Sequence, residues 1–327
     1  MIKRATSLPA GDDFVQNREA IATNLTRKPL FFIGCSPSQA SNIINPDHPA
    51  AGVMVSVNQL RDRKSDFEVR DWILDSGAFT EVARHGGYRE GVEEYIRQIY
   101  RWAKCGNLLC AVAQDWMCEP FALSRTGLTV AEHQKLTIQR YDQLIFKNPV
   151  IPIMPVLQGY RTSDYLKHLA DYGNRFAIGS WVGIGSVCKR NGNPGEVADI
   201  LRAIKILRPD LRLHGFGLKV LALENTEVRE LLYSCDSMAW SYPLRFSRPG
   251  DDSVQNRSPL QLANEYQQKI GKIGGNSKKQ VPRTAGAGNG QGRKPKWKSA
   301  TTAIRVPSKY ADKLISVAKE WEEYDRH

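Results

Sequence analysis

Eight short apolar runs recur between residues 30 and 240 of this 327-residue chain, separated by longer stretches. The runs are LFFIG (30–34), VMVSV (53–57), WILDSG (72–77), LLCAVAQDW (108–116), PIMPVLQG (152–159), WVGIGS (181–186), RLHGFG (212–217) and CDSMAW (235–240). Runs of this length are typical of strands buried on both faces of a parallel sheet. Two separating stretches carry apolar residues at helical spacing: Val92, Tyr95, Ile96, Ile99 and Trp102, then Val197, Ile200, Leu201, Ile204 and Leu207.

This alternation of strands and helices predicts an α/β fold, a (β/α)8 TIM barrel that occupies residues 1–265. An open, doubly wound sheet is the alternative. A dinucleotide site in such a sheet carries a GxGxxG motif after the first strand, and no such motif follows residues 30–34. We therefore favour the barrel.

The composition is that of a globular protein with surplus positive charge. The chain has 46 Lys and Arg and 34 Asp and Glu, so its formal net charge is +12. This surplus indicates a polyanionic partner. No apolar run approaches the roughly 18 residues that a membrane helix needs. The first residues, MIKRATSLPAGDDF, lack the apolar core of a signal peptide, and the six cysteines form no CxxC pair. We expect free thiols, no membrane partner and a cytoplasmic protein.

A strongly basic segment follows the predicted barrel. Residues 269–298 contain nine Lys or Arg and no Asp or Glu, and they are rich in glycine. Such a segment buries too little apolar surface to offset its ordering entropy, so we predict a flexible basic linker over residues 266–299. It either tethers nucleic-acid phosphates or only raises solubility. The pattern of residues 300–327 predicts a strand followed by a helix. We interpret this helix as one that docks on the main domain, and half of a ribbon-helix-helix DNA-binding unit is the alternative.

The predicted C-terminal ends of the strands carry many polar residues. In barrel enzymes these ends form the active-site face. Buried acids are costly unless they have partners, so three carboxylates converging on one mouth predict a functional site. The polar residues are Asp75 and Ser76 in the third run, Gln114 and Asp115 in the fourth, Gln158 in the fifth, Ser186 in the sixth, His214 in the seventh and Asp236 in the eighth.

This set of residue types suits chemistry at a glycosidic bond. One carboxylate can attack or stabilise the anomeric carbon while a second handles the leaving group's proton. Asp115 and Gln158 match the hydrogen-bonding edge of a purine, and Phe79 and His214 can stack on its faces. Glycines in the sixth and seventh runs allow backbone N–H groups to approach a flat ligand. Spacing alone does not assign the individual roles.

The order of the motifs resembles the tRNA-guanine transglycosylase superfamily. The motifs are DSGAF (75–79), QD (114–115), LQG (157–159), VGIGSV (182–187), HGFG (214–217) and CDSMAW (235–240), of which DSGAF is the most specific. The resemblance extends over residues 30–245 and is closer to the DpdA branch, DNA-guanine transglycosylases that insert 7-deazaguanine bases into DNA. It implies a barrel glycosyltransferase of the pentosyltransferase class that exchanges guanine in DNA for a free base such as preQ0.

The resemblance also implies a role for each motif. Asp236 becomes the nucleophile that attacks C1′ and holds the DNA covalently, and Asp75 becomes the general acid/base. The main-chain amides near Gly183 and Gly185 would contact the 7-substituent or carbonyl of the base. No cofactor is expected, because one glycosidic bond replaces another. The implied substrate-binding residues are Ser76, Phe79, Asp115, Gln158, Gly183, Gly185 and His214.

Three departures from the tRNA enzymes affect these expectations. No Cys follows Asp236 to build the zinc site that those enzymes carry after the barrel, so no metal is expected. Matching Pro243 and Arg245 to the bacterial Pro-x-Arg motif would place Ala239 at the nucleophile position. We prefer the match to D-S-x-x-aromatic, which keeps a carboxylate and selects Asp236. The sixth run has GIGS in place of the usual double glycine.

Four basic residues near the last three strand ends are predicted to bind phosphates: Lys189, Arg190, Lys219 and Arg245. An ordinary solvated surface is the alternative for each. The expected partners are DNA, a free 7-deazaguanine base and accessory proteins of a DNA-modification system. Two other functions stay open: a tRNA-guanine transglycosylase without zinc, and a catalytically silent barrel that binds nucleic acid. Asp75 and Asp236 together argue against the silent barrel.

Overall fold

The computed structural model describes residues 28–43, 50–147, 149–190, 192–246 and 257–273. Within these residues nine strands form one sheet in the order β5-β4-β3-β2-β1-β9-β8-β7-β6, with parallel pairing throughout. The strands are β1 (Leu30–Gly34), β2 (Gly52–Ser56), β3 (Asp71–Asp75), β4 (Asn107–Val112), β5 (Ile153–Met154), β6 (Val156–Leu157), β7 (Trp181–Ile184), β8 (Arg212–Gly215) and β9 (Ser234–Ser237).

The sheet closes at Pro155, which divides the fifth predicted strand into β5 and β6. β5 pairs with β4, whereas β6 pairs with β7. Proline has no N–H to donate to a sheet, but the carbonyl of Pro155 accepts a hydrogen bond from the Gly183 amide at 2.8 Å. The two ends of the strand order thus meet within one short segment. The α/β barrel predicted from the sequence is confirmed, with its fifth strand interrupted.

Alternate residues of the strands form two apolar layers, as the two-residue repeat of a strand requires. The outer layer packs under the helices and includes Ile33, Val53, Leu74 and Ala111. Asp75 follows the inner residue Ile73 by two positions, and Asp236 pairs with the inner residue Phe32, so both acids continue the inner face. The inner layer consists of Phe32, Met54, Ile73, Cys110, Val112, Met154 and Val156.

Amphipathic helices cover the barrel. In α3 (Val92–Trp102) the buried residues Val92, Tyr95, Ile99 and Trp102 belong to the predicted apolar face, and its fifth residue, Ile96, is half-buried and packs against the core. A capping box between Thr129 and Glu132 fixes the start of α5. The helices are α1 (Pro37–Ile43), α2 (Ala78–His85), α3 (Val92–Trp102), α4 (Pro120–Thr126), α5 (Val130–Phe146), α6 (Thr162–Tyr172), α7 (Pro194–Leu207), α8 (Val220–Glu224), α9 (Thr226–Leu231), α10 (Tyr242–Phe246) and α11 (Pro259–Lys272).

The last helix, α11, packs against the barrel. Its residues Leu262 and Ala263 are buried, and the hydroxyl of Tyr266 lies 3.2 Å from that of Ser237. The boundary predicted between residues 265 and 266 therefore falls inside a helix, and residues 266–272 are helical instead of linker. The rest of the predicted linker and the predicted strand-helix tail lie outside the described residues and stay predictions.

Two smaller expectations can be compared with the described part of the chain. All six cysteines lie in it and are free thiols, as predicted, and five of them are buried. Among the described residues, no helix combines the length and apolar character that crossing a membrane requires.

Candidate active site

Asp75 and Asp236 lie at the C-terminal ends of β3 and β9 on the inner face of the barrel. Asp75 is partly buried, and its Oδ2 accepts a hydrogen bond from the Gly77 amide at 3.1 Å. Burial raises the pKa of Asp75 to about 6, with a further contribution from the negative charge of Asp236. The two carboxylates therefore interact electrostatically. A carboxyl group that titrates near pH 6 can give up and take back a proton near neutrality, as a general acid/base must.

Asp236 is oriented by groups from β8 and the loop that follows it. Its Oδ1 accepts a hydrogen bond from the Gly217 amide at 3.0 Å and lies 3.4 Å from His214 Nε2. Gly217 has a φ of +63°, in the left-handed region that glycine adopts without strain. The HGFG segment thus turns a main-chain donor toward the carboxylate.

His214 does not occupy the stacking position that the sequence predicted. Its side chain is fully buried, with Nδ1 2.8 Å from Ser234 Oγ. The Phe216 ring packs edge-on at 4.8 Å between centroids, and the Trp181 ring lies at 6.1 Å. No face of the imidazole is left open for a base in this arrangement. The prediction that His214 stacks on the base is wrong here because the ring packs between strands and contacts Asp236.

A buried hydrogen-bond network surrounds Asp115, across the mouth from Asp236; we call it the Asp115 network. Gln158 Nε2 donates to Asp115 Oδ2, and Ser76 Oγ donates to Asp115 Oδ1 at 3.3 Å. The Tyr88 hydroxyl donates to the main-chain oxygen of Asp115 at 3.0 Å. Burial is the largest cause that raises the pKa of Asp115 to about 7, and the charge of Asp75 adds to it. The neutral and the ionised forms of this carboxyl group are therefore both accessible near neutral pH.

The Asp115 network continues through Gln158 to two further residues. The Ser186 hydroxyl lies within hydrogen-bond distance of two acceptors, Gln158 Oε1 at 2.8 Å and Glu119 Oε2 at 2.9 Å, and its one proton serves one of them at a time. Ser186 has a φ of +61°, an uncommon conformation for a residue other than glycine. Glu119 is buried and was missed from the sequence, although it follows Asp115 by only four residues in the loop after β4. When the Ser186 hydroxyl donates to Gln158 Oε1, it orients the Gln158 amide with Nε2 toward Asp115.

The amides of Gly183 and Gly185 are not available to a base in this structure. They donate to the carbonyls of Pro155 and Leu157 at 2.8 and 2.9 Å, within the barrel. A Cβ atom at Gly185 would lie 2.1 Å from Gln158 Nε2. The predicted contacts of these two amides are therefore corrected. Gly185 makes room for the Gln158 side chain instead of for a ligand.

Phe79 and two of the four predicted phosphate-binding residues are exposed. Phe79 and Lys189 are both exposed at the rim. Lys219 is also exposed, with Nζ 6.0 Å from the centroid of the Tyr242 ring. The side chain of Arg245 lies outside the described part of the structure.

Arg190 differs from the other predicted phosphate ligands because its guanidinium group is engaged. It donates to the main-chain oxygen of Ser186 at 2.8 Å and to that of Tyr160, and it lies 3.5 Å from Glu196. Only 9% of its side chain is exposed. Arg190 therefore stabilises the loop after β7, which corrects its predicted role as a free phosphate ligand.

The two candidate positions for the nucleophile, Ala239 and Asp236, have different surroundings. Ala239 begins a 3-10 helix, Ala239–Ser241, and its amide donates to Ser237 Oγ at 3.2 Å. Asp236 lies on the inner face and interacts with Asp75. The geometry thus favours Asp236. Within the described ranges, no group of three or more His, Cys, Asp or Glu side chains is placed to bind a metal ion.

Taken together, the mouth holds a carboxyl group with a raised pKa, a second carboxylate oriented by hydrogen bonds, and the buried Asp115 network. A model of the family DpdA, DeoxyPurine in DNA protein A, matches residues 49–288. No curated protein matches the chain. The matched residues make up most of the chain and include Asp75, Asp115, Gln158 and Asp236. The chain therefore belongs to the DpdA family, which implies an enzyme of the transglycosylase type with DNA as its substrate.

Proposed function

We propose that this enzyme exchanges guanine in DNA for a free 7-deazaguanine base such as preQ0, through a covalent intermediate on Asp236. The observation that carries this proposal is the Asp75–Asp236 pair on the inner face of the barrel. Asp236 is oriented by the Gly217 amide and His214, and its charge helps to raise the pKa of Asp75. A fixed nucleophile beside a carboxyl group that titrates near pH 6 suits displacement at C1′.

The exchange takes two displacements. In the first, an Asp236 oxygen attacks C1′ of the target nucleotide, the C1′–N9 bond breaks, and its electron pair leaves with guanine, which Asp75 protonates. In the second, Asp75 takes the N9 proton of the incoming base, N9 attacks C1′, and the bond to Asp236 breaks. Each displacement inverts C1′, so the product keeps the original configuration. Atoms and charges balance without a cofactor.

The Asp115 network would bind the purine edge. Ionised Asp115 accepts hydrogen bonds from the ring N–H and exocyclic amine, and the Gln158 amide donates to the ring carbonyl. In this role Ser76 positions Asp115, and Ser186 positions Gln158. Because the pKa of Asp115 is about 7, its acceptor form gains population as the pH rises through neutrality.

The surplus positive charge supports DNA as the substrate. Flipping a base out of duplex DNA costs a few kcal/mol, which phosphate contacts can offset. We assign part of those contacts to the basic residues between 269 and 298. Accessory proteins, such as an ATPase that opens the duplex, would lower the flipping cost further.

An exchange assay tests the proposal. Purified full-length protein is incubated with radiolabelled guanine or preQ0 and, separately, with duplex DNA, single-stranded DNA and tRNA. Asp236→Asn is the test variant. Asp199→Asn is the matched control, because Asp199 is 59% exposed and lies on α7 in an ion pair with Arg202. We expect label in DNA with the parent and the control, and none with Asp236→Asn.

Other outcomes would replace the proposal. Label that enters tRNA and not DNA would place the enzyme with the tRNA-guanine transglycosylases. Binding of DNA by both parent and variant, with no exchange even when a helicase opens the duplex, would favour a catalytically silent barrel.

A further inference from the structure

Two exposed phenylalanines and a lysine lie together at the rim of the mouth; we call them the Phe79–Phe121–Lys189 cluster. The Phe79 and Phe121 side chains are 54% and 41% exposed, and their ring centroids are 5.9 Å apart. Lys189 Nζ lies 5.2 Å from the first centroid and 5.3 Å from the second. The three residues come from the loops and helices that follow β3, β4 and β7.

The cluster adjoins the residues of the site along the chain. Phe79 follows Asp75 by four positions, Phe121 follows Glu119 by two and Lys189 follows Ser186 by three. Since Glu119 and Ser186 are themselves in contact, these segments are held next to the Asp115 network. Ala78 and Ala122, the chain neighbours of the two phenylalanines, belong to a small apolar core that also contains Val82 and Met117. This core anchors the backbone that carries the two rings.

Its chemistry fits a nucleotide. A base can stack on an exposed aromatic face, and a lysine ammonium attracts the phosphate beside it; proteins that bind single-stranded nucleic acid combine these two features. When a target base is flipped out of DNA, each neighbouring base loses a stacking partner. An aromatic surface close to the pocket can replace that partner.

We propose that the Phe79–Phe121–Lys189 cluster binds a nucleotide next to the target, with the neighbouring base on the Phe121 ring and its phosphate beside Lys189. The proposal rests on the proposed base exchange in DNA and adds a second binding position to it. Because stacking accepts any base, this position contributes affinity with little sequence preference.

A double-mutant cycle between Phe121 and the neighbouring base tests the proposal. The dissociation constant of full-length protein is measured by fluorescence anisotropy for intact DNA and for DNA with an abasic analogue on either side of the target. We expect Phe121→Ala to weaken binding to intact DNA by about tenfold or more. The loss should disappear on one of the two abasic DNAs. Phe146→Ala is the matched control, because Phe146 is 86% exposed at the end of α5.

The lysine is tested through the salt dependence of binding. Lys189→Met removes the ammonium, so the slope of log K against log salt should become shallower by about 0.7 to 0.9 for one phosphate contact. Lys135→Met, at an exposed position of α5, should leave the slope unchanged. Phe121→Trp keeps an aromatic face and should retain parental affinity, which separates loss of stacking from loss of folding.

Two results would overturn the proposal. The first is parental affinity in Phe121→Ala while the parent exchanges bases. The second is a Phe121→Ala loss that stays the same on both abasic DNAs. If the parent binds DNA but exchanges nothing, the proposed function fails, and the cycle still measures whether Phe121 contacts a neighbouring base.

Discussion

By proposed role, the barrel mouth has a reacting side, Asp75 with Asp236, and a recognition side, Asp115 with its network, which use the same residue type in different surroundings although Asp75 and Asp115 follow neighbouring strands. On the reacting side, Asp75 and Asp236 are held by main-chain amides and by His214. On the other, Asp115 is enclosed by side-chain amide and hydroxyl groups that connect it to Gln158 and Ser76. The surroundings, and not the residue type, divide the work between a reacting pair and a recognition group.

The largest expected effect falls on the reacting side. Asp236→Asn removes the nucleophile, so we expect exchange to fall by about a thousandfold or more. The change keeps the shape of the side chain, so the melting temperature should stay close to that of the parent. Exchange rates and thermal melts of the variant, the parent and Asp199→Asn give the comparison. More than a tenth of parental activity in Asp236→Asn would require another nucleophile.

Asp75→Asn is expected to have the next largest effect. Loss of a general acid/base typically costs about 10²- to 10⁴-fold in rate. Guanine leaves with a proton from Asp75, so its release by the parent should slow as the pH rises above about 6, where Asp75 loses that proton. Single-turnover release of labelled guanine between pH 5 and pH 8 measures this dependence. An equal pH dependence in Asp75→Asn would assign the proton to another group.

On the recognition side, Asp115→Asn should act mainly on base binding. We expect the KM of the incoming base to rise by about 10- to 100-fold with a smaller change in kcat, because a hydrogen-bond acceptor is lost. In the parent, the KM should fall as the pH rises through about 7, since ionised Asp115 accepts the hydrogen bonds. Steady-state kinetics with labelled base check both expectations. A fall in kcat alone would move Asp115 to the reacting side.

The smallest expected effect is on stability. The folded pKa of Asp115, about 7, lies above the ordinary value of about 3.9, so between these pH values the folded state binds more protons than the unfolded state. The contribution of Asp115 to stability therefore falls as the pH rises through this window. Asp115→Asn removes this pH dependence. The difference in unfolding free energy between variant and parent should therefore favour the variant by about 1–3 kcal/mol more at pH 8 than at pH 4. Urea denaturation at both pH values tests this, and a constant difference would contradict it.

Much of the fold was predictable from the sequence because strands buried on both faces appear as continuous apolar runs. All eight runs correspond to strands of the barrel, the fifth interrupted at Pro155. The end of the domain was not predicted correctly. The predicted basic linker includes Lys269 and Lys272, which instead lie in the last turn of α11. The many basic residues favour a linker, although Leu262, Tyr266 and Ile270 recur at helical spacing.

The site was predictable in position but only partly in detail. Strand ends indicate where Asp75, Asp115 and Asp236 gather, since parallel strands bring their C-terminal ends to one face. The partners of those acids depend on how neighbouring strands align. The register of β8 and β9 places His214 beside Ser234, so the ring is buried and contacts Asp236. The link from Glu119 to Gln158 through Ser186 joins two loops far apart in the chain, and no local pattern reveals it.

The most direct test of the central claim is to map the covalent DNA adduct. The full-length protein is incubated with DNA, denatured, digested with trypsin and nuclease, and analysed by mass spectrometry. We predict a sugar adduct on the peptide ELLYSCDSMAWSYPLR (230–245), located by fragmentation at Asp236, its single aspartate. An adduct on a peptide that carries Asp75 or Asp115, or an adduct that persists in Asp236→Asn, would contradict the account.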